Sequence, residues 1–161
     1  MDESMEVLPE LKGYNCFACG TTNPIGLNLT FYRRGEYVCS DIKLGKNYEG
    51  WENMAHGGII STLLDEVMGW TVIYFKKVFF VTRGMNVKYI RPVPLHRLLT
   101  VKGKITEEEN RHSCKAMGII QDDGGNILAR GEAAFAILSE ADLHLVSDKL
   151  KEEMKDLFEK F

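Results

Sequence analysis

Residues 56–74 read His-Gly-Gly-Ile-Ile-Ser-Thr-Leu-Leu-Asp-Glu-Val-Met-Gly-Trp-Thr-Val-Ile-Tyr, and no other stretch constrains the chain as much. Drawn as a helix, it is apolar on most of its faces, the mark of a helix buried by its surroundings. Something must wrap it, and the flanking patterns are those of strands. In 27–32, Leu27, Leu29 and Phe31 alternate with Asn28, Thr30 and Tyr32, a period of two. Residues 37–44 continue after an Arg-Arg-Gly-Glu turn, with Val38, Ser40, Ile42 and Leu44 on one side. Residues 78–93 are rich in Val, Phe, Thr, Tyr and Ile and are stopped by Pro92 and Pro94, as strands are. Strands over 98–106, 112–122 and 127–138 follow, the last two joined by Asp-Asp-Gly-Gly-Asn, a hairpin turn whose glycines supply positive φ. The expected class is α+β, an antiparallel sheet around one long central helix.

The length of 161 residues fits one domain, with a core over 15–138 and a helical extension over 140–161. In that extension Leu150, Met154, Leu157 and Phe161 recur at spacings of 4, 3 and 4 behind Ser147, an amphipathic helix with a serine cap. The net charge of −3 lacks the basic excess of a nucleic-acid binder. No unbroken apolar run approaches the ~20 residues of a membrane span. The acidic start, with Asp2, Glu3 and Glu6, is not that of a secretory leader. The expectation is a cytoplasmic protein whose four cysteines stay reduced.

Two acids stand in the middle of the apolar helix, where carboxylates are rarely found unless paired or functional. Gly58, Ser61, Thr62, Asp65 and Gly69 form one stripe at spacings of 3 and 4. Every member but Asp65 is small, so the stripe can admit a ligand or another backbone. Glu66 lies on a different face, beside Ile59 and Trp70. Asp65 is therefore the expected reactive acid and Glu66 the supporting one; the alternative is a carboxylate that merely bonds a strand end. His56-Gly57-Gly58 opens the helix, where free amides and the dipole favour an anion, and a Gly-Gly pair lets a carbonyl come close enough for an oxyanion hole. Gly57 and Asp65 are eight residues apart, about 12 Å at ~1.5 Å per residue, too far to act on one carbonyl. If both act, they come from two copies of the helix across a two-fold interface.

These residues resemble a known family. His56-Gly57-Gly58 followed by Leu63-Leu64-Asp65-Glu66 is similar to the signature of hotdog-fold acyl-CoA thioesterases of the phenylacetyl-CoA type, within the 4-hydroxybenzoyl-CoA thioesterase superfamily. Cys16-Phe17-Ala18-Cys19-Gly20 with Asn23-Pro24-Ile25-Gly26-Leu27 resembles the opening of one bacterial and archaeal branch, and Met85-Asn86-Val87-Lys88-Tyr89 with Arg91-Pro92-Val93-Pro94 its long central strand. The resemblance implies a hotdog fold, a homodimer or a tetramer built as a dimer of dimers, and hydrolysis of an acyl-CoA thioester without a cofactor. It implies Asp65 as general base or nucleophile, the Gly57 amide as oxyanion donor and Thr82 as the residue that positions water. The candidate substrate contacts are His56, Gly58, Asn53, Glu66, Asn86 and Arg91, with His56 expected to brace the helix start. Arg83, Lys88 and Arg91 are candidates for the CoA phosphates. Glu49 stands where that branch has Gln, so the polar contact to the thioester oxygen is rebuilt from Asn53 or Glu49, or is missing. Other readings are a non-catalytic acyl-CoA-binding protein and an enoyl-CoA hydratase; the latter wants a histidine shortly after the acid, and none follows Asp65 before His96.

Cys16-x-x-Cys19 has metal-ligand spacing, but a structural zinc takes four ligands and usually two such pairs. Cys39 and Cys114 sit alone in strand patterns. The pair is read as a turn packed on the sheet, and no metal is expected.

Overall fold

The computed structural model describes residues 4–161. Seven antiparallel strands form one sheet: β1 (Glu6–Val7), β2 (Tyr32–Arg34), β3 (Tyr37–Lys43), β4 (Phe80–Tyr89), β5 (Leu98–Asn110), β6 (Ser113–Asp122) and β7 (Ile127–Ile137), in the order β1-β2-β3-β5-β6-β7-β4. The sheet curls around α1 (Gly57–Lys76), and α2 (Asp148–Glu159) lies at the end of the chain. This is the expected α+β architecture.

By length and a mean hydropathy of 1.2, α1 passes as a membrane span. Its packing says otherwise: Leu63, Leu64, Val67 and Met68 have no exposed surface, and all belong to the core beneath the sheet. Three glycines are aligned across the sheet beneath the helix. Gly103 of β5 pairs with Gly118 of β6, which pairs with Gly131 of β7. A Cβ on Gly103 would come within 2.7 Å of Thr71 Oγ1 and 3.1 Å of the Val67 carbonyl; on Gly131 it would come within 3.3 Å of Leu64 Cβ. Only backbone fits between helix and sheet there.

Residues 27–31 depart from the expected strand. Asn28 sits at φ 50° in the left-handed region, which breaks the ladder. Leu27, Leu29 and Phe31 are nevertheless buried, so the alternation read the burial correctly and the backbone wrongly. The Leu27 and Leu29 amides instead donate to the Phe17 and Ala18 carbonyls at 2.8 and 2.9 Å, which ties the cysteine loop to the core. The α2 cap is as expected, with the Leu150 amide donating to Ser147 Oγ at 3.2 Å and Met154 and Leu157 buried.

Candidate active site

The start of α1 is set by His56, whose Nδ1 accepts the Gly58 amide at 2.9 Å. That leaves Gly57 as the first helical residue, and its amide donates to nothing among the described residues. Tyr89, at the far end of β4, fixes this end of the helix: its hydroxyl donates to the Gly57 carbonyl at 3.1 Å and shares a 2.8 Å bond with Ser61 Oγ. A shallow groove of about 330 Å³ opens beside Gly57, lined by Trp51, Ile60, Tyr89 and Arg91 among others. The Arg91 guanidinium is tethered there by a 2.7 Å bond to the Ile127 carbonyl.

Two turns along the helix, Asp65 meets Thr82 of β4, whose Oγ1 donates to Asp65 Oδ1 at 3.0 Å. A bulge brings them together. Between Thr82 and Gly84 the pairing with β7 shifts by one residue, so Thr82, Met85, Val87 and Tyr89 face the helix opposite Phe135, Ala133, Gly131 and Ala129, all buried. The same alternation puts Asn86 and Lys88 on the outer face, opposite Glu132 and Arg130. Asn86 is thus on the far side of the sheet from Asp65 of its own chain. The reason is the bulge, which resets the parity of the strand.

The segment before the helix is drawn into a turn. Asn53 is held at φ 62° in a tight turn, its amide donating to Glu49 Oε1 at 2.6 Å and its carbonyl accepting from Leu95. Glu49 also takes Lys46 Nζ at 3.1 Å. The Asn53 amide and then Lys46 hold the Glu49 carboxyl below the usual carboxylate range. Glu49 braces the turn and supplies no amide toward a thioester oxygen.

Glu66, one residue on, points to another neighbourhood. It is half-buried, its Oε1 accepting from Trp70 Nε1 at 3.2 Å and lying 3.9 Å from Cys16 Sγ. Burial, with Cys16 nearby, raises its carboxyl to about 7. The Cys19 thiol and the loop amides lower Cys16 to about 5, and Cys19 is pushed upward in turn. Adjacent positions on a helix point about 100° apart, and here Asp65 faces Thr82 while Glu66 faces Trp70 and Cys16. Trp70 stacks on Phe31 at 4.7 Å within the core, while Trp51 is 83% exposed.

The family model of the thioesterase superfamily matches residues 52–128, from the turn before α1 to the first residues of β7. The chain has the hotdog fold of the thioesterase superfamily. Verlamelin biosynthesis protein B from a Lecanicillium species is 27% identical over 142 residues, covering 71% of this chain and 57% of that protein. Acyl-coenzyme A thioesterase THEM4 of Rattus norvegicus is 26% identical over 107 residues, covering 65% of this chain and 45% of that one. The hotdog chain therefore spans about half the length of these curated relatives. A hypothetical thioesterase from Streptococcus pneumoniae, solved with coenzyme A, superposes with a TM-score of 0.64 over 70% of this chain and 87% of that one at 22% identity, a likeness of fold.

Proposed function

We propose that this hotdog protein hydrolyses acyl-CoA thioesters, with Asp65 and Thr82 of one chain and the Gly57 amide of a second. The observation that carries the reading is the Thr82–Asp65 bond at 3.0 Å. Thr82 gives its one hydroxyl proton to Asp65, so its oxygen is left to accept from a water that also lies against the carboxylate. Asp65 takes the proton of that water as its oxygen adds to the thioester carbonyl. The oxyanion accepts from the partner's Gly57 amide; its collapse expels the CoA thiolate, which recovers the proton. In this reading Arg91, at the rim of the Gly57 groove, meets the CoA phosphates. Thioesterase THEM4 and the coenzyme A complex of the pneumococcal protein support an acyl-CoA ligand.

A second copy is part of this reading. The strand β4 ends the sheet, is ten residues long and exposes Val81 and Tyr89, and long free edges of this kind invite pairing. Asp65 lies just behind that edge, and the axial distance to Gly57 of the same helix is too great for one carbonyl.

The test is release of free CoA from short-, medium-, long-chain and phenylacetyl-CoA by wild type and Asp65→Ala. A loss of at least ~10²-fold, the low end for a positioned base, is expected. Turnover unaffected by the substitution overturns the assignment. Glu49, spent on its turn, favours a second reading in which the chain binds acyl-CoA without cleaving it; tight binding with no CoA release on any ester would select that one.

A further inference from the structure

The N-terminal cysteine loop and the buried face of α1 form a cluster outside the thioester site. The loop is drawn tight around Cys16. The Gly20 amide donates to the Cys16 carbonyl at 2.9 Å, and the Cys19 amide points at Cys16 Sγ at 3.5 Å. A side chain at position 20 would put Cβ 2.5 Å from the Cys16 and Tyr14 backbone, so only glycine lets this turn close. Bonds from Leu27 and Leu29 anchor the loop on its other side. Both sulfurs are thereby presented to one carboxylate on the central helix.

That carboxylate is Glu66. The donor atoms of Cys16, Cys19 and Glu66 all lie within 4.8 Å of one another, with Cys16 Sγ and Glu66 Oε1 at 3.9 Å. Around one tetrahedral ion with bonds of ~2.3 Å to sulfur and ~2.0 Å to oxygen, the edges would be about 3.8 Å for S···S and about 3.5 Å for S···O. The Cys16–Glu66 edge is within about half an ångström of that triangle, and the other two edges exceed it by no more than about 1.3 Å. Among the described residues Glu66 forms no ion pair with any Lys, Arg or His. A carboxylate partly withdrawn from water, as Glu66 is, is ordinarily paired with a cation or bound to a metal. Trp70 Nε1 on Oε1 supplies the kind of outer hydrogen bond that orients a ligating group. Cys16 and Cys19 also line an apolar cavity of about 280 Å³, with Tyr14, Phe79, Phe80 and Met154 in its wall.

We propose that Cys16, Cys19 and Glu66 bind one divalent cation of the zinc class, with two thiolates, one carboxylate and a fourth position open to the cavity. Binding releases the protons of any thiol or carboxyl still protonated to solvent. The ion clamps the 14–20 loop onto α1 one residue from Asp65, and so couples the order of the N-terminal segment to the central helix. It is distinct from the thioester site, and its test does not depend on hydrolysis.

The full chain, reduced and free of oxygen, is loaded with Zn²⁺ or Co²⁺ and freed of excess by gel filtration. The expected result is one metal per chain, with the visible bands of a tetrahedral cobalt ion and thiolate-to-cobalt absorption in the near ultraviolet. Cys16→Ser with Cys19→Ser abolishes that absorption. Glu66→Gln, nearly isosteric and still able to accept from Trp70, keeps the thiolate absorption and weakens zinc binding at least ~10-fold, the low end of what outer-sphere partners alone command. Zinc raises the Tm of wild type and a chelator reverses it. No metal retained by the reduced wild-type chain overturns the site, a readout no folding defect can imitate. Unchanged affinity in Glu66→Gln overturns it as well.

Discussion

Replacing Gly57 by proline removes one N–H and almost nothing else. Gly57 is the first residue of α1, where proline's φ is already suited to the helix. Its predecessor His56 sits at φ −63° and ψ 139°, the extended region that a residue before proline prefers. A Cβ at position 57 meets Tyr89 at 3.6 Å, ordinary contact. The amide donates to nothing among the described residues, so no bond is lost. Stability should hold or rise by about 0.4–1 kcal/mol through a stiffer unfolded chain. Activity should fall by about 10²–10³ in kcat, the ~2.7–4 kcal/mol of one oxyanion donor, while Gly57→Ala, which keeps the amide, stays near wild type. Mixing Gly57→Pro with Asp65→Asn subunits then tests where the donor comes from. Random re-pairing makes half the dimers hybrid, each with one intact site of two if the site spans the interface, so about a quarter of wild-type activity returns. A folded Gly57→Pro variant with kcat within ~3-fold of wild type would refute the oxyanion reasoning. No recovery on mixing would refute the shared site.

Other expectations follow from single contacts. Thr82→Val keeps the shape and deletes the donor to Asp65 Oδ1; kcat should drop at least ~10-fold while Tm falls by no more than a few degrees, since one exposed hydrogen bond contributes only about 0.5–1.5 kcal/mol. Gly103→Ala forces a Cβ against Thr71 Oγ1 and the Val67 carbonyl at 2.7 and 3.1 Å, a backbone conflict that should cost at least ~1–3 kcal/mol and lower Tm by several degrees in thermal melts. His56→Ala removes the cap on the Gly58 amide and should cost ~1 kcal/mol by urea unfolding. Tyr14 donates to Glu153 of α2, and burial followed by that carboxylate raises its hydroxyl to about 12 from 10.0. The folded state holds this proton more tightly, so the contribution is complete below pH 10 and lost as pH rises towards 12. The stability gap between wild type and Tyr14→Phe should close across that window.

Much of this molecule is legible along the chain because its signals are local. The all-round apolar pattern of 57–76, the Ser147 cap and the Asp122–Asn126 turn each depend on neighbours a few residues away. The alternation at 27–31 shows where legibility stops: burial follows side-chain chemistry, but the left-handed Asn28 is a backbone choice that the pattern does not register. Asp65 could be singled out as a polar residue in an apolar helix, whereas the side of the sheet that Asn86 faces depends on a bulge. The cluster at Glu66 joins positions 50 residues apart; a Cys-x-x-Cys pair alone does not announce a carboxylate supplied by another element. The aligned glycines are invisible for the same reason, since each is an ordinary strand glycine until its two neighbours are placed beside it.

That alignment makes the sheet a gauge block for the chemistry. Asp65 rides on the helix and Thr82 on the strand beyond the glycines, so the thickness of bare backbone at Gly103, Gly118 and Gly131 sets the height of one above the other. A methyl group at Gly103 meets the helix backbone at Val67; lifting the helix to make room widens the separation between hydroxyl and carboxylate. Positions that touch no substrate thereby calibrate the reactive pair, and the tolerance of the site is machined into the floor beneath it.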